Sequence, residues 1–241
     1  MAANQLAQTV RAQLGIGRVL PLGGPADGSW ITERAAIGAL RAAAGTPAGV
    51  RIGTLRLSVA DPGHAPEPAV PAPPSALPPG PLRIEADFAA VADRPLPTVA
   101  DQVRTALLEA AVRALGLVVG VVDLQVSGLL EAGEAPEPPP ADRTEPPPAV
   151  PVADDRTGAT QEGPAGVTAV ARSVPGVARL APVLGGPSRP VRFTDGHVLI
   201  QLATAPGYRA LDVSCAVRRA VAATPAAPST VAVLVTAVEE D

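Results

Sequence analysis

Hydrophobic and polar residues alternate in three segments of the first half of the chain, and alternation with a period of two is typical of a strand with one buried face. The apolar positions are Leu55, Leu57 and Val59, then Leu82, Ile84, Ala86 and Phe88, and finally Val122, Leu124 and Val126. In the last segment the intervening residues are Asp123, Gln125 and Ser127. The pattern predicts a sheet of three strands with one solvated face.

Two segments with helical spacing can cover the dry face of that sheet. The first runs from Thr32 to Ala44, with Thr32 as its predicted N-cap. The second begins near Thr98, where Thr98 and Asp101 resemble a capping box. Its apolar stripe consists of Val99, Val103, Leu107, Ala111 and Leu115. The predicted order is therefore helix, strand, strand, helix, strand.

The second half of the chain repeats this order. At a constant offset of 110 positions, the apolar residues Val103, Leu107, Ala111 and Leu124 map onto Val213, Val217, Val221 and Leu234. A duplicated unit of this kind predicts an α+β fold with two small lobes. We expect each lobe to have a three-stranded sheet covered on one face by two helices.

Composition sets the expected boundaries. We expect an N-terminal helix and Gly-rich connector (residues 1–28), a first lobe (29–130), a linker (131–165), a second lobe (166–238) and an acidic tail (239–241). The linker contains nine prolines and eight acidic residues, which predicts a disordered tether. A second Pro-rich stretch, residues 61–81, lies between two strand segments and predicts a long hairpin loop.

The charge is distributed unevenly. All 19 basic residues are arginines, and residues 166–238 carry seven of them against two acidic residues. Arg209, Arg218 and Arg219 are therefore candidate anion contacts, and a weak nucleic-acid or anion-binding module is the alternative function. The order of elements faintly resembles a KH domain. Its GxxG clamp is absent, because GLVVG at Gly116–Gly120 has one residue too many. We therefore rank nucleic-acid binding below a protein-interaction role.

The cysteine content and the hydropathy of the chain indicate the cellular compartment in which we expect the protein. The single Cys215 excludes an intrachain disulfide and fits a reducing cytoplasm. The N-terminal residues lack the apolar region of a signal peptide, and no apolar run approaches the roughly 18 residues of a membrane span. We expect a cytoplasmic protein whose contact with a membrane is peripheral or through a partner.

Residues capable of catalysis are few and scattered. His64 lies in the Pro-rich loop, His197 follows an Asp-Gly turn, and Cys215 lies in an apolar helix. The Gly-rich run GIGRVLPLGGPADG lacks the GK[ST] ending of a phosphate loop, which indicates a turn-rich connector. The acidic residues Asp93, Asp101 and Glu109 are spread along a solvated face. The sequence predicts no catalytic residues, no metal site and no cofactor.

The last strand of the second lobe, Val231–Val238, is apolar on both faces. If Val231, Val233 and Val235 face the helices, Leu234 and Val238 point outward, and Leu199 on the neighbouring strand joins them. An exposed apolar patch marks an interface with another lobe, a second copy or a partner. The alternative is that the chain's own N-terminal segment or a loop covers this face.

Several of these segments resemble a known family. The helix ends PAGV and VPGV, the helix PLPTVADQVRTALLEAAVRALGL and the strand VDLQVSGL are similar to the bacterial alkaline shock protein family, also called the envelope stress response family. The resemblance covers residues 29–130 and, more weakly, 166–238. It implies a small α+β domain without known catalytic chemistry, associated with envelope stress or membrane-linked scaffolds. The whole chain also resembles bacterial proteins labelled as the nucleopolyhedrovirus p-ten family, and no viral function is inferred from that label. The resulting prediction is a non-enzymatic interaction or scaffold protein with a protein partner or self-association.

Overall fold

In the computed structural model the chain adopts an α+β fold with two mixed β-sheets. The structure describes residues 17–44, 47–131, 162–183, 189–225 and 227–240. The first half forms β1 (Val19–Pro21), β2 (Ser29–Thr32), α1 (Glu33–Ala44), β3 (Val50–Val59), β4 (Leu82–Val91), α2 (Leu96–Ala110) and β5 (Val119–Leu130). The second half forms α3 (Glu162–Ser173), β6 (Val177–Leu180), β7 (Val191–Thr194), β8 (His197–Thr204), α4 (Ala210–Ala222) and β9 (Thr230–Val238).

The smaller sheet has the strand order β3-β4-β5. β3 and β4 form an antiparallel hairpin, and α2 then crosses over so that β5 pairs with β4 in parallel. These strands contain the alternating residues identified in the sequence. The three-stranded sheet predicted for the first half is therefore confirmed, and residues 60–81 connect β3 to β4.

The larger sheet takes strands from both halves of the chain. Its order is β1-β2-β9-β8-β6, with β7 also paired to β8. β2 runs parallel to β9, with Ser29 opposite Val233 and Ile31 opposite Val235. The prediction of a three-stranded sheet in each lobe is therefore wrong for the second half. That half contributes four strands, β6 to β9, and the N-terminal hairpin β1-β2 extends their sheet to six.

A continuous hydrophobic core connects the two halves. Leu20, Phe88 and Leu107 from the first half and Ile200 and Val217 from the second are fully buried in one cluster. Small and branched aliphatic residues supply most of this core, as the composition requires. Because the core is shared, the described parts of the two halves stabilise each other.

Helix boundaries are only partly as expected. Thr32 caps α1, since its Oγ1 accepts a hydrogen bond from the Ala35 amide at 3.3 Å. The predicted capping box at Thr98 is wrong, because α2 begins at Leu96 after Pro95 and Thr98 lies within its first turn. Asp101 instead pairs with Arg104 at 2.6 Å.

The predicted connecting segments are tested only in part. Residues 1–16, where an N-terminal helix is predicted, and 132–161, most of the predicted linker, lie outside the described residues. The predicted connector contains strand β1, and helix α3 starts at Glu162, before the predicted start of the second lobe at residue 166. In the acidic tail, Glu239 forms an ion pair with Arg179 at 2.9 Å.

The offset of 110 positions aligns equivalent residues in the helices of the two halves. In the strands that follow, the same offset is wrong by one residue. Val103 and Val213 occupy equivalent buried positions, but Leu124 faces the helices whereas Leu234 lies on the opposite face of its sheet. A π-turn at Ala111–Leu115 follows α2. Such a turn inserts one residue relative to an α-helix, and a slip of one residue moves every strand side chain to the other face.

Candidate interaction surface

β5 is the edge strand of the smaller sheet. It spans twelve residues and, within the described part of the chain, pairs only with β4. We call the side of β5 that points away from β4 the β5 edge. An edge strand presents a row of backbone donors and acceptors that can pair with another strand.

The opposite edge of that sheet, β3, has side-chain partners. Glu33 Oε1 accepts a hydrogen bond from the Leu57 amide at 3.2 Å. The guanidinium of Arg41 donates to the carbonyls of Ile52, at 3.4 Å, and Gly53. The two edges of the sheet therefore differ, and β5 is the more open one.

The side chains of β5 that face the helices are incompletely covered. Val126 is 41% exposed and Leu129 is 63% exposed, whereas their partners on β4, Phe88 and Ala90, are buried. The cover provided by α1 and α2 therefore extends over β4 but ends before it shields all of β5. The apolar interior continues to the surface along the β5 edge.

The other face of β5 is polar, as the alternation predicted. Asp123, Gln125 and Ser127 are all exposed. Asp123 forms an ion pair with Arg83 of β4. The exposed apolar residues of β5, Val126 and Leu129, therefore do not lie on this polar face.

The equivalent strand in the second half is not an edge. β9 lies between β8 and β2, and both neighbours run parallel to it. Its fully apolar sequence follows from this position, because a central strand with both faces covered has no solvated side. In the second half of the molecule, the edge of β9 that corresponds to the β5 edge is therefore occupied by β2.

The structure buries two of the three candidate interface residues and leaves the third, Val238, half-buried, so the three do not share an exposed patch. Val231, Val233 and Val235 face the helices, as expected, and Leu199 and Leu234 lie on the opposite face. Leu199 is 6% exposed and Leu234 is 0% exposed, so the expected exposed patch is absent there. Val238 packs on the helix side instead, since the register of β8 and β9 shifts after Leu202.

The cover over that face comes from the chain's own N-terminal hairpin and Pro-rich loop. Val19, Trp30 and Val70 pack with Leu199 and Leu234. Backbone hydrogen bonds fix the loop, from the Ala69 amide to the Pro25 carbonyl at 3.0 Å and from the Leu77 amide to the Val19 carbonyl at 2.8 Å. This is the second of the two alternatives that the sequence left open.

The three candidate anion contacts are not brought together. Arg209 precedes α4, and its side chain donates to the Val112 carbonyl at 2.9 Å and to Asp212 at 3.2 Å. Arg218 and Arg219 lie nine and ten positions further along the chain, about 14 Å away along a helix. Arg218 donates to the carbonyls of Val231, at 2.9 Å, of Ala26, at 3.2 Å, and of Asp27. Arg218 thereby holds the Gly-rich connector against β9.

A cleft of about 400 Å³ lies beside these contacts and is lined by Asp27, Cys215, Arg219 and Thr230 among others. Burial raises the pKa of the Cys215 thiol, and the nearby Asp27 carboxylate raises it further. A thiol with a raised pKa is a poor nucleophile. Asp27 accepts a hydrogen bond from the Gly24 amide at 2.7 Å. The carboxylate of the Gly-rich connector therefore occupies a backbone donor of the same connector.

The histidines lie in separate places. His64 Nδ1 is 2.9 Å from Asp61 Oδ2 on the exposed loop. His197, the first residue of β8, has its Nδ1 2.7 Å from Thr230 Oγ1, and burial lowers its pKa. Within the described residues, no group of three or more His, Cys, Asp or Glu side chains is arranged to hold a metal ion.

The three acidic residues of the first half that the sequence singled out, Asp93, Asp101 and Glu109, each pair with a nearby arginine. Asp93 lies 3.5 Å from Arg94, and Glu109 lies 2.8 Å from Arg113. Asp101 has its own partner in Arg104, so these carboxylates are distributed along the surface of α2 and its flanking turns. Each has a neighbouring guanidinium rather than a second carboxylate.

Sequence reasoning placed Val126 on the dry face of a sheet but missed the β5 edge. Periodicity gives the face on which a side chain lies and carries no information on strand order. The apolar residues from Val119 to Leu129 depart from strict alternation at both ends, but this spacing indicates bulges and not the position of the strand in its sheet.

Comparisons with known proteins give no relatives. No family model matches the chain, and no curated protein and no solved structure matches it. None of the helices in the described ranges is long and apolar enough to cross a membrane.

Proposed function

We propose that this protein is a non-enzymatic interaction or scaffold protein of the cytoplasm, similar in role to envelope stress response proteins, and that it binds partners by strand addition at the β5 edge. The observation that carries the proposal is the twelve-residue edge strand whose helix-facing side chains, Val126 and Leu129, are exposed. An extended segment added there pairs with free backbone groups and covers these side chains.

Strand addition obtains affinity from main-chain hydrogen bonds and specificity from pockets for alternate side chains. The β5 edge offers both features, because Val122, Leu124 and Val126 lie on one face and Asp123, Gln125 and Ser127 on the other. β9 supports this interpretation, since the corresponding edge in the second half accepts β2 in parallel. Natural edge strands are usually protected by charges or prolines, and the only charged residue in β5 is Asp123.

The proposal is tested by selecting twelve-residue peptides from a display library on the immobilised full chain. We expect the selected peptides to alternate apolar and polar residues and to lose binding to Val126→Lys, because a buried ammonium group at the edge opposes pairing. Val112→Lys is the matched control, since Val112 is 51% exposed on the π-turn. It should bind the peptides as the wild type does. Peptides that bind both variants equally, or the failure to select any peptide on a chain that is monomeric, would overturn the proposal.

A further inference from the structure

We infer that the partner at the β5 edge is a second copy of this chain, paired antiparallel through β5 about a twofold axis at Leu124. This inference rests on the proposed function and names its partner. The two smaller sheets would then form one continuous sheet with the order β3-β4-β5-β5-β4-β3. Because an antiparallel pairing of identical strands uses both edges, the assembly closes as a dimer.

The first argument is the near-palindromic sequence of β5. Counting outward from Leu124, the two directions give Asp123 and Gln125, Val122 and Val126, Val121 and Ser127, Gly120 and Gly128, and Val119 and Leu129. Antiparallel pairing about Leu124 brings the members of each pair directly opposite each other across the interface. Apolar residues then oppose apolar residues along the face that the helices cover.

The second argument is the register of β5 on β4. The ladder gains an extra residue on β5 on each side of Leu124, first after Leu82 and again after Phe88 of β4. After these shifts Val119 lies opposite Leu82 and Leu129 lies opposite Ala90. Leu82 and Ala90 belong to the same buried cluster as Ile84 and Phe88, the partners of Val122 and Val126. The extra residues, Gly120 and Ser127, lie four and three positions from Leu124, so the two departures from alternation flank the centre of the near-palindrome.

The third argument is cover. In this register Val126 lies opposite Val122 of the second copy, and Leu129 lies opposite Val119 of the second copy. The two most exposed apolar side chains of β5 would each gain an apolar neighbour about 5 Å away. The pairing therefore covers the residues that α1 and α2 leave open.

The fourth argument is charge. Centring on Leu124 places Asp123 opposite the neutral Gln125 of the second copy, whereas centring one residue earlier would place Asp123 opposite itself. Like charges directly opposite each other destabilise a strand pair. In an antiparallel pair, residues directly opposite each other point to the same face of the sheet. A twofold axis between two neighbouring residues of β5 would pair residues from opposite faces, so the axis must pass through a residue.

The size of the interface sets the expected affinity. Twelve residues at about 3.3 Å each give a paired edge of about 40 Å, which is narrow compared with standard protein interfaces. Such an interface falls at the low end of the specific range. We therefore expect a reversible dimer with a Kd in the micromolar range, observable by sedimentation at high protein concentration.

The decisive experiment changes the charge at Gln125 in the full chain. Gln125→Arg puts a guanidinium opposite Asp123 of the second copy twice per dimer, and Gln125→Glu puts a carboxylate there. We expect Gln125→Arg to lower the dimer Kd and Gln125→Glu to raise it, each on the order of fivefold. Both variants also face Asp87 of β4 within the chain, so urea unfolding of each checks that the fold is retained.

A crosslinking experiment tests the register independently. In a Cys215→Ser background, Leu124→Cys should form an interchain disulfide on mild oxidation, because residue 124 lies opposite itself at the axis. Val126→Cys is the matched control, since residues 126 of the two copies would be about 13 Å apart along the strands. Crosslinking by random collision would favour the more exposed position 126.

The outcomes separate the two proposals. Self-pairing would be overturned by any of three results. The chain could stay monomeric at several hundred micromolar, the dimer Kd could be independent of the charge at residue 125, or crosslinking could occur at residue 126 in preference to residue 124. If peptides are still captured and Val126→Lys abolishes their binding, the proposed function stands with a different partner. If neither peptide capture nor self-association occurs, both fall.

Discussion

The side chain of Leu211 lies directly against Gly116, where the turn after α2 meets the start of α4. A Cβ placed on Gly116 would be 2.6 Å from the Leu211 Cβ. Gly116 also has a φ of 85°, which disfavours any residue with a side chain. This contact fixes how closely the second half of the chain approaches the first.

Gly116→Ala should therefore destabilise the protein by about 2 to 4 kcal/mol, from the left-handed backbone and the overlap with Leu211 together. Gly207→Ala is the matched control, because Gly207 has a φ of 76° and no atoms within 4 Å of its would-be Cβ. It should lose only the backbone part, about 1 kcal/mol. Urea unfolding of both variants measures the difference, and equal losses would show that the Leu211 contact relaxes freely.

The Pro-rich loop should contribute to stability through Val70. Val70→Ala removes two buried methyl groups from the cluster that contains Leu199 and Leu234, and it should cost about 1 to 2 kcal/mol. Proteolysis within residues 61–81 should also become faster. Val112→Ala, at an exposed position, should change neither property; if Val70→Ala behaves in the same way, the loop does not cover that face in solution.

The two halves should stay together when the chain is cut between them. A protease site inserted between residues 140 and 150 would separate β2 from β9 in sequence while their hydrogen-bonded pairing remains. We expect the cleaved fragments to elute together in size-exclusion chromatography and to separate only in denaturant. Fragments that migrate apart in native buffer would mean that the shared core and the β2–β9 pairing are weak.

Glu33 should make stability depend on acidic pH. Burial alone would raise the pKa of Glu33, but hydrogen bonds from the Arg18 side chain and backbone and from the Leu57 amide outweigh it and lower the pKa below its ordinary value. A carboxylate with a lowered folded pKa stabilises the fold above its unfolded pKa of about 4.3, and this contribution disappears as the pH falls through the folded value.

Glu33→Gln should therefore cost about 1 to 2 kcal/mol at pH 7 and progressively less toward pH 3. Urea unfolding of wild type and variant at pH 7, 4 and 3 measures this narrowing gap. Glu67→Gln, on the exposed loop, serves as the control and should match the wild type throughout. A gap for Glu33→Gln that stays constant with pH would indicate that the carboxylate charge is not involved.

The sequence predicted local structure well and long-range pairing poorly. Alternation identified β3, β4 and β5 because each buries one face, and Thr32 was recognised as a cap because capping depends on neighbouring residues. The partner of β2 could not be predicted in the same way, since Trp30 and Ile31 show only that the strand is apolar. Apolar residues on both faces of β9 indicated a missing cover but not whether it came from within the chain.

The candidate interaction surface depends on the same distinction. The sequence identified Leu234 as facing away from the helices, which is correct, and could not show that Val70 and Trp30 would cover it. Conversely, nothing in its local pattern marked Val126 as exposed, because exposure there results from the position of β5 at the end of the strand order. Faces follow from periodicity, whereas edges follow from topology.

The pairing of β2 with β9 also determines when the fold can be completed during synthesis. Thr32, at the end of β2, and Thr236, its hydrogen-bond partner in β9, are 204 residues apart in the chain. At translation rates of about 5 to 20 residues per second, β2 would wait roughly 10 to 40 s for its neighbour. During that interval the ribosome carries a first half whose N-terminal hairpin has no sheet to join. Contacts so distant in sequence slow folding, and the nascent chain can bury Trp30 only after β9 has been synthesised.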